Sequence, residues 1–343
     1  MSILEKALSH SKKIGIDECE IVTVEKKTTT VRITDSEIVE IKQNFDKKYG
    51  IRIIHQKKIA SIQTTDNQNI EKSIDNIFET ISNFKPRKFW EGLPYKIPAR
   101  KIERTFDEKL EEISGKNSMD IAQSMINSAD SEKIDTITGS LNIVSEDFQL
   151  RNSQGLEFND KATYVSGIIN AESEQGNIPV SGIGHASGRT LSNFSKEQIG
   201  EDAKIMCIES INPQKIESDT YPIIFEPYSV GELLAFVVAS NFNFKTFTEK
   251  KSCFSNKLKE EIGIKEFNLI DDPYAPEGIG TKSVDDEGVE TQKKYLVEKG
   301  VFKNTFSNLF DSYKEGEQST GNASRPGSPM GRSSEPIPVS SPH

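Results

Sequence analysis

A chain of 343 residues has room for two or three compact domains. Its 43 basic and 53 acidic residues leave a net charge of −10, which opposes non-specific nucleic-acid binding, because such binding rests on basic surface. No apolar run approaches the roughly 20 residues of a membrane span, and the start of the chain mixes Lys, His and Ser with apolar residues, unlike a signal peptide, so a cytoplasmic protein is expected. In chain order, Ile3, Leu4, Ala7, Leu8 and Ile14 mark an amphipathic helix that Gly15 stops. Strand signals follow at Val22 and Val24, at Val31 and Ile33, and at Tyr49, Ile51 and Ile53, with a fourth strand expected over Ile38 to Ile41. Ile70, Ile74, Ile77, Phe78 and Ile81 recur at helical spacing. Packing both periodicities together predicts a small antiparallel sheet with helices over residues 1–84.

Lys85 to Arg100 carries Pro86, Pro94 and Pro98 and reads as a linker, with Trp90 packed onto a domain surface. A middle α+β unit is expected over residues 101–215. Met119, Ala122, Met125, Ile126 and Ala129 predict a helix with Ser118 as its cap. Strands follow through Leu141, Ile143, Phe148 and Leu150, turning at Asn152-Ser153-Gln154-Gly155. Ser195 and Gln198 suggest a capping box for a helix through Met206 and Cys207. The other cysteines, Cys19 and Cys253, are distant, so the three supply neither a disulfide framework nor a metal knuckle.

The third unit, residues 216–343, opens with Tyr221 to Phe225 as a short buried strand and Pro227 at a helix start. Val230, Leu233, Leu234, Val237 and Val238 then give that helix an apolar stripe. Further on, Asp285-Asp286-Glu287-Gly288-Val289-Glu290-Thr291 and Ser319-Thr320-Gly321-Asn322-Ala323-Ser324-Arg325 flank a hairpin-like run from Tyr295 to Phe302. Three adjacent acids followed by glycine are costly to bury unless cations meet them, so the bland reading of the first block is a solvated turn. After Arg325 five prolines (326, 329, 336, 338, 342) predict an extended or disordered tail.

Together with Asp272-Pro273 and Gly278-Ile279-Gly280, these two blocks make the chain resemble the TldD/PmbA family of peptidase-associated proteins. The resemblance implies an α+β chain whose β-rich C-terminal domain is incomplete, since family members continue further. It also implies a zinc-dependent assembly for proteolysis of unfolded peptides, built as a heterodimer of a TldD-like, zinc-bearing homologue and a PmbA/TldE-like subunit without metal. In the zinc-bearing type, the helix corresponding to residues 228–240 carries His-Glu-x-x-x-His, two imidazoles for one zinc and a glutamate as general base. Aligned on Leu233-Leu234, this chain has Ala235, Phe236 and Ser240 there, none of which does that work. Its four histidines, His10, His55, His185 and His343, are scattered. The expectation is therefore no catalytic residue, no metal and no cofactor in this chain, with zinc in the partner.

A peptidase cleft can hold unfolded substrate as an added strand, and small residues let its backbone approach. Gly278, Gly280 and Gly288 are candidates for such an edge. Asp285, Asp286 and Glu287 can bind a peptide amine, cap a helix or pair with Arg325, while Thr291, Thr320, Asn322 and Arg325 can fix peptide backbone. The alternative for both blocks is that they only lock turns. Two rival readings stand beside the subunit. One is a stand-alone hydrolase using Ser187 beside His185, or Cys253; the other is a peptide-binding module without a peptidase partner. Glu232, on the polar flank of the helix, reads as a solvated or pairing carboxylate.

Overall fold

A computed structural model describes residues 2–95, 100, 102–327 and 331–343. Pro98 and Pro329 lie outside the described residues. The first helix, α1 (Ile3–Lys13), starts at a reciprocal cap between Ser2 and Glu5, and Gly15 follows it in the left-handed region at φ 84°. β1 (Glu18–Thr34) and β2 (Glu37–His55) are joined through Asp35 and Ser36, whose φ values of 51° and 63° make the tight turn that suits a twisted hairpin. The four strands expected here are thus two long ones. Their polar middles pair with each other, Lys47 bridging to Glu25, so the ladder continues where the apolar alternation lapses. β3 (Lys58–Thr64) and α2 (Ile70–Thr80) complete the first segment.

Trp90 is buried against Ile54 and Leu93, and its indole N–H donates to Glu18 at 3.2 Å, so the linker is held down where it begins. After α3 (Glu108–Glu111) comes α4 (Gly115–Ala129), capped by Ser114 through the Asn117 N–H at 3.1 Å. Ser118 is not the cap; it lies a turn inside, buried, and bonds back to the Ser114 and Gly115 carbonyls. β4 (Thr136–Asn152), β5 (Glu157–Ser173) and β6 (Val180–Gly188) form a meander, followed by α5 (Lys196–Glu209). Ser195 makes no side-chain cap bond, so the expected capping box is not formed.

These six strands make one antiparallel sheet in the order β3-β2-β1-β4-β5-β6. β1 pairs with β4 from Glu20 opposite Asn152 to Ile33 opposite Gly139, so the segments 1–84 and 101–215 share a single sheet. Odd-numbered side chains of β1 face the helices. Ile21 joins a cluster with Leu4, Ile51 and Ile74, and Val31 and Ile33 join one with Met125, Ile126 and Ile199. Even-numbered side chains point to the opposite face, which the C-terminal segment covers.

That segment contains α6 (Pro227–Leu233), α7 (Phe244–Thr248), β7 (Leu269–Asp271), β8 (Lys294–Glu298), β9 (Val301–Phe302), α8 (Leu309–Lys314), β10 (Ala323–Ser324) and β11 (Val339–Ser340). Phe242, Leu296, Val297, Phe302 and Phe306 are its own core. The expected buried strand at Tyr221 to Phe225 is not found. Among the described residues no strand pairs with it, and Ile224 is 98% exposed. Residues 331–343 are extended and packed, not disordered. Gly50 allows this, because a side chain there would meet the Ser334 carbonyl oxygen at 2.1 Å. Among the described residues, no helix is long and apolar enough to cross a membrane.

Candidate functional site

The first signature block lies on the even face of the sheet, and its three adjacent acids, Asp285, Asp286 and Glu287, are fully buried. Burial of a carboxylate demands a partner, and each of the three has a different one. Asp285 accepts from the backbone N–H groups of Glu287, Val289 and Ala323, each at 2.9 Å, and so ties the first block to the second. Burial, reinforced by the Glu287 charge, pushes its carboxyl up to about 7 against the pull of those donors. Asp286 accepts from Arg332 Nε at 2.7 Å, Lys282 Nζ at 3.2 Å and the Arg325 backbone N–H at 2.7 Å. Burial raises its pKa, but Lys282, Arg332 and Arg325 outweigh that and hold it at about 2. Glu287 bridges Arg52 Nη1 at 2.7 Å and the Leu309 N–H at 2.8 Å, capping the start of α8.

Arg325 links the second block to the same network. Its Nε donates to the Asp286 carbonyl at 2.8 Å, and its Nη2 pairs with Glu20 of β1. Glu20 also pairs with Arg52 at 3.1 Å, directly across the β1–β2 ladder. Arg332, from the extended tail, reaches Asp160 at 2.6 Å and stacks 4.4 Å from the Phe148 ring centroid. The network therefore clamps the C-terminal segment to the sheet with buried, charge-assisted hydrogen bonds.

The remaining predicted residues serve turns around this clamp. Asn322 is fully buried, donating to Asp271 at 2.8 Å and accepting from Lys294 at 2.6 Å. Thr320 Oγ1 donates to Asn322 at 2.8 Å and accepts from the Ser307 N–H at 2.7 Å. Thr291 Oγ1 donates to the Lys282 carbonyl at 2.6 Å. Gly278, Gly280 and Gly288 do not line a strand edge. They sit in turns, where side chains would meet Thr281 at 2.8 Å, His343 at 2.6 Å and Leu156 at 2.1 Å respectively. Of the three roles open to the acids, the structure shows helix capping by Glu287 and ion pairs with Arg52 and Arg332, whereas the Arg325 guanidinium pairs with Glu20 and meets Asp286 only through backbone groups.

Glu20, Arg52, Lys282 and Arg332 are members of this network that sequence reasoning missed. A signal existed: a charged residue on the buried side of an apolar alternation, as in Glu20-Val22-Val24, needs a buried partner.

A second region lies between β6 and α6. Gly182 and Gly184 pack the sheet against α5, since side chains there would meet the Ala203 and Ile199 carbonyl oxygens at 2.3 and 1.9 Å. β6 pairs regularly with β5, so His185 and Ser187 do share a face. No hydrogen bond joins them among the described residues; His185 packs on Tyr228 of α6, ring centroids 4.0 Å apart. Tyr228 hydrogen-bonds Glu232, which pushes its phenol up. The other proposed nucleophile, Cys253, is exposed, with its backbone N–H bonded to Asn241.

Beyond α6 the helix widens into a π turn, Leu234–Val238, in which the Ala239 N–H donates to the Leu234 carbonyl five residues back. A five-residue hydrogen-bond step draws residues five apart toward one face; Ala235 lies within it, and Ser240 follows in the short 3-10 turn Ala239–Phe242. That is the spacing of the two histidines in His-Glu-x-x-x-His. Methyl, phenyl and hydroxyl groups do not fit zinc at these positions. Among the described residues, no three His, Cys, Asp or Glu side chains group to hold a metal.

Comparison with known proteins agrees with this architecture. The profile described as the PmbA/TldA metallopeptidase C-terminal domain matches residues 218–340, and that of PmbA/TldA metallopeptidase domain 1 matches residues 19–83, together over half the chain. An uncharacterized protein of Methanocaldococcus jannaschii is 25% identical over 94% of this chain and 74% of its own length. The metalloprotease PmbA of Escherichia coli O157:H7 is 22% identical over 94% of this chain and 73% of its own. The crystal structure of TldE from Thermococcus kodakarensis superposes with a TM-score of 0.89 at 20% identity, covering 100% of this chain and 76% of that one. With both signature blocks in one clamp and both domain profiles matched, the chain belongs to the PmbA/TldD family.

Proposed function

We propose that this chain is the PmbA/TldE-like, non-catalytic subunit of a two-subunit metallopeptidase that degrades unfolded peptides. Its partner is a TldD-like homologue that carries the zinc. The observation that carries the reading is the π turn with Ala235, Phe236 and Ser240 where the zinc-bearing type has its ligands and base. The clamp of Asp285, Asp286, Glu287, Asn322 and Arg325 acts as the scaffold that fixes the C-terminal segment on the sheet, and of the candidate residues only Thr320, Gly278 and Gly280 retain surface from which a peptide can be touched.

The test is cleavage of unfolded casein by this chain alone, by a zinc-bearing TldD-type protein alone, and by the mixture, each with and without a chelator. The expected result is no cleavage by this chain, and chelator-sensitive cleavage that rises when the two are mixed. Cleavage by this chain alone that survives the chelator would replace the proposal with a stand-alone hydrolase.

A further inference from the structure

A groove of about 740 Å³ runs between the free edge of the sheet at β6, the side of α5 and the start of α6. Its apolar surface comes from Ile183, Ile205 and Met206, all exposed, and from the Tyr228 ring. Its polar lining is one-sided. Asp202, Glu209, Glu226 and Glu232 line it, no lysine or arginine does, and among the described residues none of these four carboxylates is in an ion pair. Exposed apolar surface next to unneutralised carboxylates calls for an occupant that is both apolar and positively charged.

Two backbone features set the shape of that occupant. β6 is an edge strand, paired with β5 on one side only. The segment leading into the groove, Tyr221 to Phe225, makes no backbone hydrogen bond with the described residues, and Ile223 and Ile224 project into solvent. Backbone left unpaired along Tyr221 to Phe225, and an edge strand whose Ile183 N–H is held only by a weak bond to the Met206 sulfur at 3.4 Å, suit an extended chain, which gains main-chain hydrogen bonds without demanding one sequence. A second copy of this chain is disfavoured as occupant, because each copy brings a net charge of −10 and the same acidic rim.

We infer that the groove between β6 and α6 binds an extended peptide segment in which lysine or arginine alternates with aliphatic or aromatic residues. The inference deepens the subunit reading and rests on it for the source of such a segment, an unfolded protein chain. Carboxylates on the rim take the cationic side chains; Ile183, Met206 and the His185–Tyr228 stack take the apolar ones.

The test is fluorescence anisotropy on the purified chain with three labelled decapeptides, alternating Lys–Leu, Lys–Ser and Glu–Leu. The Lys–Leu peptide should bind and weaken with added salt, and the other two should bind at least about tenfold more weakly. Glu226→Lys/Glu232→Lys should weaken Lys–Leu binding about tenfold, as two weak attractions become repulsions. Glu260→Lys/Glu266→Lys, the same charge change at exposed sites away from the groove, should leave it unchanged. Ile205→Ser, at a groove-lining position 44% exposed, should weaken binding without altering the melting temperature. Equal loss in both charge-reversed variants, equal binding of Lys–Ser and Lys–Leu, or no binding at all would overturn the inference. Absent binding together with normal cleavage by the mixed subunits would overturn the groove alone and leave the subunit reading standing.

Discussion

Asp286→Asn removes one charge from the centre of the clamp and keeps its shape. The folded carboxylate titrates at about 2, while an unfolded aspartate titrates near ~3.9, so its ionised form contributes roughly 2.5 kcal/mol at neutral pH. Removing one member of a buried ion pair also leaves Arg332 and Lys282 facing a neutral amide, for which about 3–5 kcal/mol is typical. We expect a loss of about 3 kcal/mol, or a drop in melting temperature of about 4 °C. Urea unfolding followed by tryptophan fluorescence suits the assay, because the sole tryptophan, Trp90, lies 5.7 Å from the Arg52 guanidinium of the same clamp. The sign with pH is fixed: a depressed folded pKa stabilises above ~4, and the contribution fades as pH falls toward 2. About half of the charge contribution should remain at pH ~3. Glu40→Gln, which breaks an exposed pair with Arg32 at 3.3 Å, should leave the midpoint unmoved. An Asp286→Asn protein within about 1 kcal/mol of the parent at neutral pH would refute the clamp as an organising element.

Asp285 behaves in the opposite sense. Raised to about 7, it contributes stability below ~4 that is lost as pH climbs through 7, a slope of about −1.4 kcal/mol per pH unit between those limits. Asp285→Asn should flatten that slope in urea titrations at several pH values, whatever its overall cost. Gly321→Ala should destabilise by about 3 kcal/mol, since φ is 69° and a side chain there would meet the Glu290 carbonyl oxygen at 2.2 Å. Gly184→Ala drives a methyl to 1.9 Å from the Ile199 carbonyl oxygen and should lower the melting temperature by forcing α5 off the sheet. An unchanged melting curve for either glycine variant would contradict the packing described. A zinc titration of Ala235→His/Phe236→Glu/Ser240→His should show metal uptake that the parent lacks, if the π turn presents these positions together; no gain would contradict that geometry.

Local features of this fold were legible in the sequence. The periodicity of Ile70, Ile74 and Ile77 marked α2, and all three are buried. The resemblance carried by the two blocks led to the right family. Strand length was not legible, because β1 and β2 run 17 and 19 residues through polar stretches that only their mutual pairing explains. The cap of α4 was misplaced by one turn because Gly115 and Lys116 hid the helix start before its apolar stripe. Composition made Tyr221 to Phe225 look like a buried strand, but burial depends on a neighbouring strand, which composition does not reveal. Which of its open roles the acidic block fills was not legible for the same reason. Its cations, Arg52 and Arg332, stand 234 and 46 positions from Asp286, a separation at which only the fold brings charges together.

The central claim is that the helix at 227–242 carries no zinc, and metal content tests it most directly. The chain, produced in zinc-supplemented medium and dialysed, is assayed for bound metal beside a His-Glu-x-x-x-His-bearing relative treated identically. The account predicts stoichiometric zinc in the relative and a trace in this chain. Stoichiometric zinc in this chain, removable by a chelator and restoring casein cleavage on return, would contradict it.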